Sequence, residues 1–351
     1  QVYFTQFFDQ FVLDQRGSTQ EDLDQDTRQR LGEVSSQYTF VSENERHTLT
    51  VGADVRQESL SADRLSRVGR RTRTSPFVQY QALLYEGLNI TLAPGFRLDV
   101  DSQFGVVPSP KLALRMDPHE RLILRSSVGR GFRAPNFKEL YLIFENPSVG
   151  YRVVGNPDVQ PETSWSMQLE GEWTPSAKVT VRASLYRNQI DDLIDTALDP
   201  TQMNVVYTDV NTSSAITQGT ELLLRVRPVE SLDLQVGYVF LDARDLQRDR
   251  FLQGRPRHRG TFRARYSHAG AGFSATVRGS LVGERPYYET GGDGETQEVM
   301  DDLYLSLDLR LEQRVGDYVG LFAGADNLAG AGGRYLTIRP RGFYAGLSVD
   351  Y

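Results

Sequence analysis

The four histidines, His47, His119, His258 and His268, and the absence of any cysteine limit the reactive chemistry open to this chain. Without a thiol there is no cysteine nucleophile, thiolate metal site or disulfide framework. A serine or aspartate mechanism needs a histidine held beside the nucleophile, and no histidine falls in a long polar segment next to one. An enzyme is therefore not expected, and the histidine spacing suits no metal. Two acidic runs, Glu21-Asp22-Leu23-Asp24-Gln25-Asp26 and Gly291-Gly292-Asp293-Gly294-Glu295, could offer oxygens to Ca²⁺, although solvated loop charge is the simpler reading. Aromatic and arginine residues are more suggestive. Tyr141, Phe144, Tyr151 and Arg152 share one long polar segment, and Arg285, Tyr287 and Tyr288 share another. Such sets can stack on a flat or anionic ligand, or they can form the aromatic girdle of a membrane interface. Neither use requires a cofactor.

Strands must position these side chains. Leu303, Leu305, Leu307, Leu309 and Leu311 alternate with Tyr304, Ser306, Asp308, Arg310 and Glu312, which in a period of two gives an aliphatic face and a charged face. The same alternation runs through Leu232–Phe240, Val179–Leu185, Leu49–Val55 and the set Trp165, Met167, Leu169 and Trp173. Tight polar, Gly or Pro turns are expected at Val41–Glu45, Glu86–Asn89, Asp117–Glu120, Thr174–Ala177, Pro228–Ser231, His268–Ala271 and Val315–Asp317. Between them fall mostly long hydrophilic connections at 16–27, 59–73, 132–162, 244–256, 285–301 and 329–340. The rhythm gives about sixteen strands in an antiparallel up-and-down meander. Short turns on one side and long loops on the other fit an all-β transmembrane β-barrel better than a soluble sandwich or propeller. No apolar run approaches the ~18 residues of a membrane helix. Arg225, Arg227, Arg263, Arg265 and Arg310, set against Glu221, Asp308 and Glu312, would line a hydrated lumen. A net charge of −7 argues against a nucleic-acid partner.

The last residues place Phe343, Ala345, Leu347, Val349 and Tyr351 on one face and end on an aromatic. Phe343, Leu347, Val349 and Tyr351 resemble the terminal signal read by outer-membrane barrel-assembly machinery, as expected of a native end; an ordinary edge strand is the alternative. The beginning, Gln1-Val2-Tyr3-Phe4, has no charged or apolar leader, so any leader would lie outside this sequence.

The run Gly129-Arg130-Gly131-Phe132-Arg133-Ala134-Pro135-Asn136-Phe137-Lys138-Glu139-Leu140-Tyr141, followed by Gly155-Asn156-Pro157-Asp158-Val159-Gln160-Pro161-Glu162-Thr163-Ser164, resembles the TonB-dependent outer-membrane receptors. Three further stretches are similar to the same family in order: Leu185–Ile194, Pro256–Gly260, and Asp326-Asn327-Leu328 ahead of Phe343–Leu347. Pro135 cannot donate to a ladder and must lie beyond the strand, while Asn136 and Glu139 have the spacing of a capping box. Gly131, Pro135, Pro157 and Pro161 are expected to shape the loop, and Glu162 to be a lumen carboxylate paired with an arginine.

The resemblance implies an N-terminal plug domain and a barrel of the 22-stranded class. The plug and about six strands are not found here, so residues 1–351 are expected to be a partial barrel domain, a split receptor or a reduced barrel. It also implies import of a bulky scarce nutrient, a ferric siderophore before others, across the outer membrane of a Gram-negative bacterium. The C-terminus would be periplasmic. The implied partners are outer-membrane lipid, a plug or a second polypeptide completing the barrel, an inner-membrane TonB-type coupling protein acting through the plug, and the assembly machinery. Arg133, Tyr141, Phe144, Tyr151, Arg152, Arg285, Tyr287 and Tyr288 are the candidate ligand contacts. Haem is disfavoured because the family's haem binders carry a histidine between the two quoted runs and 134–158 has none. A passive pore, or a structural barrel that scaffolds other envelope proteins, is the alternative.

Overall fold

The computed structural model describes residues 1–13, 23–146, 150–198, 205–211, 214–290, 295–332, 335 and 340–349. Sixteen strands, with the two-residue Arg250–Phe251 as a seventeenth, belong to one sheet, and the neighbours with defined register are antiparallel. Among the described residues no helix is long and apolar enough to cross a membrane. Two compact units make up the chain. One comprises Gln1–Leu114, Ser127–Ser166 and Gln189–Ala215, and the other Arg115–Ser126, Met167–Asn188 and Ile216–Tyr351.

In the first unit, strands Val2–Leu13, Leu23–Val41, His47–Ala62, Gly69–Tyr85 and Ile90–Asp101 pair in chain order. Register puts Tyr38, Val51, Val78 and Phe96 in one cross-strand row, and all four are exposed. The opposite face is charged and internally matched. Arg97 reaches Asp54 at 2.6 Å and Asp99 at 3.1 Å, Arg73 reaches Asp101 at 3.0 Å, and Arg71 reaches Glu58 at 2.8 Å. Asp99 and Asp101 are buried, which a carboxylate tolerates only when paired. Greasy residues outside and ion pairs inside is the reverse of a water-soluble protein.

The second unit repeats the inversion. Strands Leu232–Asp245, His258–His268, Phe273–Val282, Tyr304–Val315, Val319–Asp326 and Gly342–Val349 pair in that order. Leu305 and Leu311 are exposed beside Leu281 and Leu321. On the other face of the same strand Arg310 meets Glu312 at 2.7 Å, while Arg225 and Arg227 converge on Asp233 rather than Glu221. In the last strand Phe343, Leu347 and Val349 are all exposed on one side; Tyr351 lies outside the described residues.

The tight turns fall within a residue or two of their expected places. Glu45 and Asn89 take left-handed backbone there, at φ 55° and 46°, and His268 caps the short 3₁₀ turn Ala269–Ala271 by accepting from the Ala271 amide. The long connections are shorter than the sequence indicates, because strands continue through them. Leu23–Val41 takes up part of 16–27, and His47–Ala62 and Gly69–Tyr85 take up most of 59–73. Segment 285–301 holds the hairpin Arg285–Thr290 and Thr296–Asp301. Alternation marks a strand only where its two faces meet different media; where both meet water, the ladder persists without that signature.

Close backbone approach fixes a few glycines. Gly279 stands opposite Phe262, whose ring lies over it so that a Cβ would come within 2.0 Å of Cε1, whereas a Cβ on Gly32 meets nothing within 4 Å. Gly279→Val is expected to lower unfolding stability by about 1–3 kcal/mol through overpacking. Gly32→Ala should stay within about 0.5 kcal/mol, and denaturant titration in micelles compares them.

Candidate functional site

At the loop end of the first unit, the strand Leu122–Arg133 gives way to Pro135 and a five-residue helix, Phe137–Tyr141. Asn136 accepts from the amides of Lys138 and Glu139, and the Glu139 carboxylate accepts from the Asn136 amide at 2.7 Å, so the capping box is formed. The Pro135 carbonyl accepts from Arg71 at 2.8 Å. Phe137, Leu140, Tyr141, Val159 and Leu60 form a small buried core beneath the turn.

One guanidinium ties this assembly together. Arg133 donates to both oxygens of Glu162, at 2.5 and 2.8 Å, and through Nη1 to Glu139 at 2.9 Å. Glu162 also accepts the Ile194 amide at 2.9 Å, joining the start of Glu162–Ser176 to the strand Ile194–Leu198. The second motif has an equally structural use. Asn156 Nδ2 donates to the Asp209 carbonyl, the Gln160 amide donates to Asn211, and Asn211 Nδ2 donates back to the Gln160 carbonyl. Gly155 is required because a Cβ would sit 2.6 Å from the Tyr141 nitrogen.

This frame carries a four-stranded sheet of Ile143–Asn146, Tyr151–Val154, Val205–Asn211 and Ile194–Leu198. Phe144 and Tyr151 are 5.9 Å apart between ring centres, and Tyr151 and Tyr207 6.1 Å. Arg64 lies 5.0 Å over Phe144. The result is a ladder of three aromatic rings with a cation at one end. Arg152 is half exposed and pairs with Glu145 across the strands at 2.9 Å.

In the second unit, Tyr287 stacks on Tyr335 at 4.1 Å. Arg250 lies 4.1 Å over Tyr288, whose hydroxyl donates to the Phe251 carbonyl. Arg244 and Arg257 both lie about 5 Å from the Phe251 ring. Phe251, Arg257, His258, Glu298 and Met300 help line a groove of about 480 Å³.

The expected contacts therefore separate. Phe144, Tyr151, Arg152, Tyr287 and Tyr288 keep accessible surface. Tyr141 is buried, with its hydroxyl taken by Arg67 and Gln103, and Arg285 is buried against Asp301 and over the Tyr304 ring. Arg133 spends its donors on two glutamates. Tyr141 and Arg285 present no free face to a bulky solute, whereas the Arg133 side chain keeps 44% of its surface exposed. Tyr207, Arg64, Arg250 and Tyr335 were not singled out from sequence. Nothing local in 192–213 marks Tyr207, and Arg64 joins Phe144 only through the fold. Each histidine has a local partner: Nδ1 of His47 and His258 meets the hydroxyls of Tyr80 and Tyr238, and His119 accepts from the Arg121 amide. Among the described residues no three histidine or acidic side chains gather as metal ligands; Glu21, Asp22 and residues 291–294 lie outside them.

Two outcomes follow from the rim. Glu162→Ala should weaken local stability by about 2 kcal/mol, because the Ile194 amide and Arg133 lose their acceptor. Amide exchange at Ile194 would read this as a rise of roughly 30-fold, and unchanged exchange would contradict it. Burial, reinforced by the Glu139 and Asp195 charges, raises the Asp209 pKa against the hydrogen bond from Thr196. Its ionised form therefore costs the fold stability at neutral pH, and that cost disappears as pH falls from the raised folded value towards the ordinary carboxylate value. Protease resistance of this sheet should increase over that interval in the unaltered protein but not in Asp209→Asn.

Comparison with known proteins places these features. The chain is 29% identical over 316 residues to the vitamin B12 transporter BtuB of Vibrio vulnificus (strain YJ016), covering 87% of this chain and 47% of that protein. It is 27% identical over 164 residues to the ferric enterobactin receptor PirA of Pseudomonas aeruginosa, covering 43% and 22%. The chain thus spans less than half the length of these curated relatives. Among solved structures, a mutant of the ferric enterobactin receptor PfeA from Pseudomonas aeruginosa aligns with a TM-score of 0.79 at 18% identity, over 100% of this chain and 59% of the other. The siderophore receptor PirA from Acinetobacter baumannii aligns at 0.77 and 15%, with coverage of 100% and 59%. Residues 1–328 match the family described as TonB dependent receptor-like, beta-barrel, and the chain belongs to that family of Gram-negative outer-membrane barrels.

Proposed function

We propose that residues 1–351 form part of the lipid-embedded barrel domain of an outer-membrane importer that captures a bulky, scarce, anionic or aromatic nutrient, a ferric siderophore in the first instance. Energy would come from an inner-membrane TonB-type protein acting through a plug. The observation that carries this reading is the ring ladder of Phe144, Tyr151 and Tyr207 with Arg64 at its end. Its apolar faces and terminal cation suit a chelate with flat anionic groups. The Arg250–Tyr288 stack and the arginines around Phe251 offer the same chemistry in the second unit. The relatives range from a vitamin B12 transporter to ferric enterobactin receptors, so ligand identity rests on these side chains and not on the fold.

The test is titration of the protein in detergent micelles with ferric enterobactin and, separately, cyanocobalamin, followed by tryptophan quenching. Each ring contact is worth about 0.5–1.5 kcal/mol. Removing two, in Tyr151→Ala/Tyr207→Ala, should therefore weaken binding of the preferred ligand by about 10-fold or more. Arg133→Gln should act through the fold and lower stability as well. Binding indifferent to the tyrosine pair would reject this site, and a steady conductance in planar bilayers with no binding of either ligand would favour the passive pore.

A further inference from the structure

A chain with 17 tyrosines and no cysteine can form no disulfide, so a covalent tie between its loops must use other side chains, among which the phenol is one of the most readily oxidised. Among the described residues two tyrosine pairs are in ring contact, and their geometries differ. Tyr151 and Tyr207 meet edge to face, 6.1 Å apart at 80°. Tyr287 and Tyr335, both in the second unit, lie nearly parallel, with centres 4.1 Å apart and 16° between their planes. That is closer than the ~4.5–7 Å usual for aromatic pairs. Ring carbons settle ~3.5–4.0 Å apart, so centres at 4.1 Å leave the two rings overlapping over most of their area.

The stack is held from both sides. Tyr287 sits on Arg285–Thr290, whose ladder with Thr296–Asp301 is anchored by the buried Arg285–Asp301 pair. The Tyr287 hydroxyl lies against Gly254, where a Cβ would come within 3.2 Å of the oxygen, and the Gly254 amide donates to the Pro286 carbonyl at 2.8 Å. Tyr335 donates its hydroxyl to Glu289, which stands two residues beyond Tyr287 on the same face of the strand. One carboxylate therefore both sets the second ring over the first and can take its phenolic proton. Free phenols keep that proton until about pH 10, so at neutral pH a phenol gives up an electron readily only where a base receives the proton with it.

We propose that Tyr287 and Tyr335 are a site of oxidative cross-linking, joined as dityrosine by a peroxide-driven one-electron oxidant of the haem peroxidase class. Each phenol loses one electron and its hydroxyl proton, that of Tyr335 passing to Glu289. The two phenoxyl radicals couple between ring carbons ortho to oxygen, and the ortho hydrogens then move to the oxygens to restore both phenols. The pair loses two hydrogens in all, and one hydrogen peroxide takes them up to become two waters. No thiol in this chain is present to intercept the radicals. The product ties the 285–301 hairpin to the connection that carries Tyr335, and its formation needs no solute at the rim.

The test exposes the full chain in detergent micelles to a haem peroxidase and equimolar hydrogen peroxide, read by dityrosine fluorescence and by mass spectrometry of the intact chain and its digest. The expected product is a single chain lighter by two hydrogens, with one linked peptide pair joining 287 to 335 in a yield independent of protein concentration. Tyr287→Phe and Tyr335→Phe should each lose the link, and Glu289→Gln should slow it by about tenfold or more. Tyr318→Phe, at a tyrosine more exposed than either, should leave it intact. Oxidation that instead follows exposure, linking separate molecules through Tyr38 and Tyr318, 62% and 65% exposed, with no 287–335 link, would overturn the proposal in the unaltered protein. A dominant 151–207 link would overturn it too, since ring overlap would then not select the pair.

Discussion

Hydrocarbon offers a peptide group no hydrogen-bonding partner, so a strand at membrane depth is viable only if its neighbours satisfy its backbone. The rest of this structure follows from that requirement. It demands an antiparallel ladder continuous from strand to strand, and the two-residue period then obliges one face to be apolar and the other to be whatever the interior needs. In the first unit the interior carries charge, and the charges are neutralised pair by pair, Asp54 with Arg97 and Asp101 with Arg73. Leaving one member unpaired near Asp99 or Asp101, both buried, would cost more than the pair contributes.

The family motifs make sense as solutions to a local problem at the strand ends. A chain leaving a strand must satisfy its freed backbone groups and still support a long connection. Pro135 ends the ladder, Asn136 and Glu139 cap a single helical turn, and Arg133 grips Glu162 and Glu139. Asn156, Gln160 and Asn211 close the other side. These residues bind the protein to itself. What they support is the part able to face a solute, the small sheet bearing Phe144, Tyr151 and Tyr207. Rigid side chains held on strands can be aimed, and aiming is what stacking on a ligand requires.

Arginine serves two ends here, told apart by surroundings rather than by residue type. Paired with carboxylates it neutralises an interior; laid over rings, as Arg250 is over Tyr288, it builds an electropositive aromatic surface.

Strand number, the apolar face and the short turns were all written in the sequence, because a medium that differs across a strand imprints a period of two on residues such as Leu303–Leu311. The capping box at Asn136 and the pairing of Glu162 with an arginine were legible for the same kind of reason, being local in chain or in chemistry. What only the tertiary structure decided is which of the aromatic and arginine residues are buried and which come together. Tyr141 and Arg285 looked like ligand contacts by type but are buried, while Tyr207 and Arg64 join Phe144 and Tyr151 from distant parts of the chain. Burial and proximity depend on cross-strand register and loop packing, which bring together residues far apart in sequence and therefore leave no periodic trace in it.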